Sequence, residues 1–200
     1  MSSGERTLVI ASGNEGKIRE FMRLLSGIPL RVQAQPDGLD VEETGSTFRD
    51  NARIKARHVA RLTGEWALAD DSGLSVDALA GAPGVHSARY APTDQERITR
   101  LLEALSGRSD RSAQFRAALC VAAPDGELLL EVEGRCDGSI SREPRGEDGF
   151  GYDPVFEVTG TGRTFAEMTP DQKQQFGHRG RAFTLLRPEL IKLLTDSREV

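Results

Sequence analysis

The segment Leu68–Leu74 places two adjacent carboxylates, Asp70 and Asp71, directly after a short hydrophobic run that begins at Trp66. The run predicts a buried strand, so both aspartates are expected at its carboxyl end, before a turn at Gly73. Neighbouring carboxylates repel each other, and burying either one without a cation is costly. Because open α/β sheets bind ligands at this end of their strands, the pair is a candidate magnesium site. The alternative is that Asp70 caps a turn and Asp71 is solvated.

The composition narrows the class of protein. With 200 residues, 38% of them hydrophobic, the chain can bury a core without disulfides, and we expect a single bilobed domain over residues 1–200. The net charge of -5 argues against a nucleic-acid partner. Cys120 and Cys136 lack the spacing of a zinc site. The apolar run Leu8–Ala11 is too short for a signal peptide or membrane span, so we expect a soluble cytoplasmic protein with no membrane partner.

The first part of the chain predicts a strand, a glycine loop and a helix. The β-branched run Thr7–Ala11 is followed by the loop Ser12–Lys17, and apolar residues then recur at helical spacing over Ile18–Leu25. The loop amides, the helix N-terminus and Lys17 would form an anion site suited to phosphate. The loop is not a Walker motif, and a plain strand-to-helix turn is an equally good interpretation. Leu30–Ala34 predicts the second strand.

A second helix is predicted from Phe48 to about Leu62, with Thr47 as its cap. The acidic loop Asp40–Gly45 precedes it and supplies further carboxylates. Asn51 and Lys55 are four residues apart, so both side chains would lie on one side of the helix and could reach one ligand. The alternative is that they are ordinary surface residues.

The next elements are interpreted as scaffold. Thr93–Glu96 has the pattern of a capping box before an amphipathic helix that ends at Gly107. Gln114–Ala123 and Glu127–Glu133 alternate as two antiparallel strands. Near the end of the chain a further apolar helix is expected, divided or kinked at Pro188.

Two polar segments in the second half of the chain are candidate ligand sites. In Gly149–Pro154, Phe150 or Tyr152 could stack on a flat base while Asp153 accepts a hydrogen bond, although a tight turn with Phe150 in the core is equally possible. Further on, Lys173 lies in a predicted helix that begins at Thr169. The polar turn Gly177–Gly180 carries His178 and Arg179, which could reach a base or a phosphate; His178 alone is more typical of a structural role.

Together these motifs indicate a nucleoside triphosphate with a divalent cation. In their order and spacing they resemble the inosine and xanthosine triphosphate pyrophosphatases, over nearly the whole chain. The resemblance is carried by Ser12–Lys17, Glu42–Gly45, Asn51–Ala56, Ala69–Leu74, Gly81–Gly84, Ser87–Tyr90, Gly149–Pro154 and His178–Gly180. Gly177 stands where these enzymes usually have serine, which puts one small polar contact in doubt.

The resemblance implies an elongated α/β fold with a long mixed β-sheet, flanking helices, two lobes around a nucleotide cleft, and a homodimer. It implies magnesium, with manganese as a possible substitute, held by Glu42 and Asp71, and it makes Asp71 the general base. It assigns substrate binding to Ser12, Gly13, Asn14, Glu15, Gly16, Lys17, Lys55, Ser72, Phe150, Gly151, Tyr152, Asp153, Lys173, His178 and Arg179.

The resemblance also implies hydrolysis between the α and β phosphates, and the chemistry of these residues is compatible with it. Asp71 would accept a proton as water attacks phosphorus, and Lys17 would stabilise the phosphoryl oxygens. A donor such as Arg179 would favour the 6-keto group of hypoxanthine and xanthine over adenine. Two other functions fit less of the pattern: a pyrophosphatase of the septum-inhibitor type, acting on pyrimidine or modified nucleotides, and a nucleotide sensor without catalysis.

Overall fold

The computed structural model describes residues 6–196, which fold into a mixed α/β structure. The strands are β1 Thr7–Ala11, β2 Arg31–Ala34, β3 Trp66–Val76, β4 Ser112–Ala122, β5 Leu128–Ile140 and β6 Phe156–Val158. The helices are α1 Glu15–Leu24, α2 Phe48–Thr63, α3 Asp94–Ala104, α4 Pro170–Phe176 and α5 His178–Asp196. None of these helices is long and apolar enough to cross a membrane.

The strands form one mixed sheet in the order β2-β1-β3-β4-β5-β6. Strand β1 pairs in parallel with both β2 and β3, whereas β5 and β6 are antiparallel. The predicted mixed sheet with flanking helices is therefore confirmed.

The chain forms two compact units. The first unit comprises three segments: the residues up to Asp71, Ala118–Glu133, and the residues from Ala182 onwards. The second unit comprises Ser72–Ala117 and Gly134–Arg181. Strands β3, β4 and β5 contribute residues to both units. The nucleotide cleft between two lobes stays a prediction.

The two faces of the sheet in the first unit carry different cores. Side chains of successive strand residues point to opposite faces. Large residues such as Leu8 and Leu68 pack with Phe21 of α1 and with α5. The opposite face is mostly alanine, and it packs against Ala52 and Ala56 of α2. These small side chains let α2 lie close to the strands.

The second unit has its own core. The rings of Phe115, Phe156 and Phe165 pack together, with the centroids of Phe115 and Phe156 4.8 Å apart. Leu101 of α3 and Leu105, which follows the last residue of α3, pack into the same cluster. The predicted capping box of α3 is confirmed, because Thr93 and Glu96 cap each other's backbone.

Three local predictions were wrong. Strand β3 does not end before Asp70 but runs through both aspartates and Gly73 to Val76, because Leu74 and Val76 continue the alternation into the core of the second unit. The predicted polar turn Gly177–Gly180 is instead the end of α4 and the first turn of α5. Helix α5 continues through Pro188, so the predicted division is wrong for the described part of α5, whereas the alternative, a kink at Pro188, stays a prediction.

The cap of α2 provides a test of the fold. The Thr47 hydroxyl accepts a hydrogen bond from the Asp50 amide at 3.1 Å. We expect Thr47→Ala to lower the free energy of unfolding by about 1 kcal/mol in urea titrations followed by circular dichroism. Thr47→Ser keeps the hydroxyl and should lose much less; equal losses for the two variants would contradict the role of the cap.

Candidate functional site

The two adjacent aspartates of β3 are both buried, with 1% of Asp70 and 5% of Asp71 exposed. Because they are consecutive in a strand, their side chains point to opposite faces of the sheet. Asp70 forms an ion pair with Lys17 of α1, whose Nζ lies 2.8 Å from the Asp70 Oδ2. Asp71 points instead toward α2. The expected repulsion is therefore relieved by geometry, and each carboxylate has a lysine of its own.

The loop before α1 has the predicted strand-loop-helix geometry. Asn14 caps the helix, since its Oδ1 accepts a hydrogen bond from the Lys17 amide at 3.0 Å. The Ser12 hydroxyl accepts one from the Asn14 amide at 3.1 Å. Residues 13–15 are exposed ahead of the helix N-terminus. An anion placed there would meet the positive end of the helix dipole.

Lys55 of α2 binds three oxygens. Its ammonium donates to Glu43 Oε1 at 2.6 Å, to the Asp70 carbonyl at 2.8 Å and to Asp71 Oδ1 at 3.3 Å. These three acceptors match the three N–H groups of a lysine. Burial by itself lowers the pKa of Lys55, but the carboxylates of Asp71 and Glu43 outweigh it, so the pKa lies above its ordinary value. Lys55 is therefore a fixed cation.

Asn51 holds the other oxygen of Asp71. Its Nδ2 donates to Asp71 Oδ2 at 3.0 Å, and its Oδ1 accepts from the Gly45 amide at 2.8 Å. Asn51 and Lys55 thus reach one partner, as their helical spacing allowed, and are not ordinary surface residues. Burial raises the pKa of Asp71, and the opposing effects of Lys55 and Lys17 do not cancel the rise.

The acidic loop contributes a residue that sequence reasoning missed. Glu43, and not its neighbour Glu42, contacts Lys55, whereas Glu42 is exposed. Only the acidic character of the loop was visible in the sequence, since consecutive residues of a loop give no signal of which one points inward. The metal-binding role of Glu42 stays a prediction.

The donor set around Asp71 suits a hard cation. The side chains and the carbonyl that surround Lys55 all present oxygen, which is the ligand atom of magnesium. Within residues 6–196, no group of three or more His, Cys, Asp or Glu side chains could hold a metal ion. A magnesium ion here would take one or two carboxylates, with water and phosphate as its other ligands, which is its usual coordination in phosphate-binding enzymes.

In the second unit, the turn Gly149–Asp153 arranges Phe150 and Asp153. Gly149 and Gly151 have φ values of 86° and 63°, in the left-handed region that favours glycine. Asp153 Oδ2 accepts hydrogen bonds from the Phe150 amide at 2.9 Å and from the Lys173 ammonium at 2.6 Å. A side chain at Gly149 would collide with the Asp153 carboxylate. The turn therefore depends on glycine at this position.

Two cations lie against the ring of Phe150. The Lys173 ammonium is 4.4 Å and the Arg179 guanidinium 5.5 Å from the ring centroid, within the range of cation–π attraction. Arg179 also donates through Nη2 to the Ser72 hydroxyl at 2.6 Å. Four residues predicted from separate motifs, Phe150, Lys173, Arg179 and Ser72, are thus brought together in this unit. Phe150 itself is half-buried.

Two other predicted ligand residues are held inside the second unit. Tyr152 is 4% exposed and donates its hydroxyl to the Ser87 carbonyl at 2.8 Å, and burial raises its pKa. Phe150 is therefore the better candidate for stacking on a base. His178 is 3% exposed and stacks on Phe115, with the rings 4.7 Å apart and nearly parallel. Its substrate-binding role stays a prediction.

Gly177 ends α4 tightly. Its amide donates to the Lys173 carbonyl at 2.8 Å, and a Cβ at this position would collide with the same carbonyl. A serine here would require a shift of the backbone at the end of α4. Glycine, and not the usual serine, therefore stands where the backbone at the end of α4 lies close to the Lys173 carbonyl.

The Gly149 turn yields a matched pair of variants. Gly149 and Gly160 both have positive φ, but a side chain at Gly160 meets nothing within 4 Å. Alanine at either position should cost about 1–2 kcal/mol of stability through backbone strain. Only Gly149→Ala should also displace Asp153, which an NMR shift of the Phe150 amide and a larger loss in urea titrations would report. Indistinguishable variants would contradict the crowding at Gly149.

The comparisons with known proteins agree with the motifs. The model of the Ham1 family matches residues 8–189. A dITP/XTP pyrophosphatase of Parasynechococcus marenigrum (strain WH8102) is 70% identical over 190 residues, which cover 95% of this chain and 97% of that protein. A dITP/XTP pyrophosphatase of Synechocystis sp. is 52% identical over 191 residues, covering 96% of this chain and 98% of that protein.

Solved structures give the same result. A HAM1 protein from Coxiella burnetii superimposes with a TM-score of 0.83 at 45% identity, covering 96% of this chain and 99% of that chain. The Ham1 protein of Staphylococcus aureus has a TM-score of 0.82 at 40% identity, covering 92% and 98%. The resemblance drawn from the sequence motifs is confirmed, and the chain belongs to the Ham1 family.

Proposed function

We propose that the protein hydrolyses deaminated purine nucleoside triphosphates, namely ITP, dITP and XTP, to the monophosphate and pyrophosphate. Family membership and relatives that are named dITP/XTP pyrophosphatase support this activity. The observation that carries it is the buried carboxylate of Asp71, which Lys55 and Asn51 hold by both oxygens. Hydrolysis of these triphosphates would remove altered bases from the nucleotide pool.

Asp71 is suited to act as the general base. Its pKa lies above the ordinary value, which makes it a stronger proton acceptor once ionised. Asn51 and Lys55 fix the orientation of the carboxylate, so its accepting oxygen is held in place before a water molecule attacks phosphorus. Asp71 then takes the proton from that water, and no covalent intermediate is required.

The triphosphate would lie at the loop Ser12–Lys17. The exposed Gly13 and Glu15 at the N-terminus of α1 would offer their backbone amides to the phosphate oxygens, whereas the Asn14 amide is bonded to Ser12. Lys17 contributes positive charge at the same helix end while it pairs with Asp70. These groups stabilise the negative charge that develops on the departing pyrophosphate.

Glu42 and Asp71 would hold magnesium, with manganese as a possible substitute. When bound, the ion neutralises phosphate charge and favours departure of pyrophosphate. The oxygen atoms that Glu43, Asp71 and the Asp70 carbonyl present around Lys55 support this choice over zinc, which favours nitrogen and sulfur ligands.

The base would be recognised by the turn Gly149–Asp153 with Lys173 and Arg179. Phe150 offers a ring for stacking, and both cations are fixed beside it. Hypoxanthine and xanthine carry a 6-keto acceptor where adenine carries an amino donor, so cationic donors favour the former. A buried donor facing the wrong group makes the rejection of adenine steep. The homodimer that the resemblance implies stays a prediction, which light scattering would test.

A substrate panel tests the activity. We expect ITP, dITP and XTP to yield monophosphate and pyrophosphate with magnesium, ATP to react much more slowly, and chelation of the metal to abolish turnover. Products are separated by chromatography. A preference for dUTP or TTP would favour the septum-inhibitor type, binding without turnover would favour a sensor, and release of diphosphate plus phosphate would contradict the proposed bond cleavage.

The general base is tested by Asp71→Asn, which keeps the size of the side chain and removes the proton acceptor. We expect turnover of ITP to fall by about 100-fold or more while nucleotide binding persists. Asp77 is exposed and directly follows β3. The control variant Asp77→Asn makes the same chemical change there and should retain wild-type turnover. Near-normal turnover of Asp71→Asn would remove Asp71 from the role of base.

A further inference from the structure

The turn Gly149–Asp153 is fastened to the second unit by three elements. Lys173 of α4 binds the Asp153 carboxylate, and Tyr152 donates its hydroxyl to the Ser87 carbonyl at 2.8 Å. The third contact comes from the first residue of α3. Asp94 Oδ2 accepts a hydrogen bond from the Gly151 amide at 2.7 Å, across 57 positions in the chain.

The carboxylate of Asp94 is itself oriented. Its other oxygen accepts from Arg97 Nη1 at 2.6 Å, and Arg97 Nε donates to the Ala91 carbonyl at 2.9 Å. The arginine therefore ties the carboxylate to the backbone that precedes α3. Asp94 is bound on one side to its own helix and on the other side to the turn.

The hydrogen bond from the Gly151 amide to Asp94 restrains a residue whose own backbone is flexible. Gly151 has φ of 63°, a side chain there would meet nothing within 4 Å, and it follows directly on Phe150. Glycine loses more conformational freedom on ordering than any other residue. A fixed acceptor at the Gly151 amide therefore restricts the peptide that carries the Phe150 ring.

We propose that Asp94 is a positioning residue for base recognition, which acts by holding the Gly151 amide and hence the ring of Phe150. The inference rests on the proposed function, since it assigns the base to this turn. The two oxygens of the Asp94 carboxylate bind Arg97 and Gly151, and not the proposed phosphate-binding loop or Asp71. Its removal should therefore weaken binding of the base and leave the chemical step unchanged.

The test compares Asp94→Ala with two variants. Asp94→Asn keeps one acceptor oxygen for the Gly151 amide but loses the ion pair with Arg97, so it should lie between the wild type and Asp94→Ala. Glu96→Ala removes an acidic group from the same first turn of α3 and breaks the capping box, but it leaves the Gly151 contact intact. Glu96→Ala therefore measures how much a weakened helix start contributes by itself.

Three readouts are needed. We expect Asp94→Ala to raise KM for ITP about fivefold with kcat within about twofold, because the loss is in binding common to ground and transition state. Inhibition by inorganic tripolyphosphate, which lacks a base, should stay unchanged. Amide hydrogen exchange of Gly151, followed by NMR, should become several-fold faster in Asp94→Ala, change less in Asp94→Asn, and stay slow in Glu96→Ala.

The outcomes separate the inference from the proposed function. Unchanged Gly151 exchange in Asp94→Ala, an equal rise of KM in Glu96→Ala, or a parallel loss of tripolyphosphate inhibition would overturn the positioning role. Faster exchange with an unchanged KM for ITP would overturn it while the proposed activity stands. If the wild-type protein releases no pyrophosphate from ITP or XTP, the proposed function fails and the positioning role fails with it.

Discussion

The first unit depends on the separation of two adjacent buried carboxylates onto opposite faces of β3. Each ion would carry a desolvation cost of several kcal/mol if it had no partner. Because side chains alternate along the strand, Asp70 pairs with Lys17 of α1 and Asp71 pairs with Lys55 of α2. Two adjacent aspartates thus hold one lysine on each face of the sheet. The positions of the proposed anion-binding loop and of the proposed base thus follow from a single pair of aspartates.

The packing of α2 makes the second of these pairs possible. Ala52 and Ala56 face a strand surface that is itself mostly alanine, which includes Ala67 and Ala69. Larger residues on either side would move the helix outward and lengthen the contacts of Asn51 and Lys55 with Asp71. The packing of the apolar core therefore sets the geometry of the polar site. Ala52 and Ala56, which pack on the strands, each directly follow a residue that binds the Asp71 carboxylate, namely Asn51 or Lys55.

The sequence predicted the features that arise from local interactions. The start of α2 at Thr47 is a property of a few neighbouring residues, so the helix and the convergence of Asn51 and Lys55 could be foreseen. The Ser-Gly pair after Asp71 is locally typical of a turn, but burial of Leu74 and Val76 keeps that segment in β3. The contact of Glu43 with Lys55 depends on the course of a loop, and that of Asp94 with Gly151 joins distant segments, so neither leaves a pattern of spacing.

The charges of the first unit argue for a divalent cation on physical grounds. Lys17 and Lys55 are each already paired with a carboxylate, and Glu43 adds a further negative charge to the same group. The cluster therefore carries more negative than positive charge even before Glu42 is counted. Such a cluster repels a polyphosphate, although the helix N-terminus and loop amides beside it favour one. A magnesium ion bound at Glu42 and Asp71 would neutralise the cluster, and its carboxylates would then serve as ligands. This would reconcile the proposed general base with its acidic neighbours.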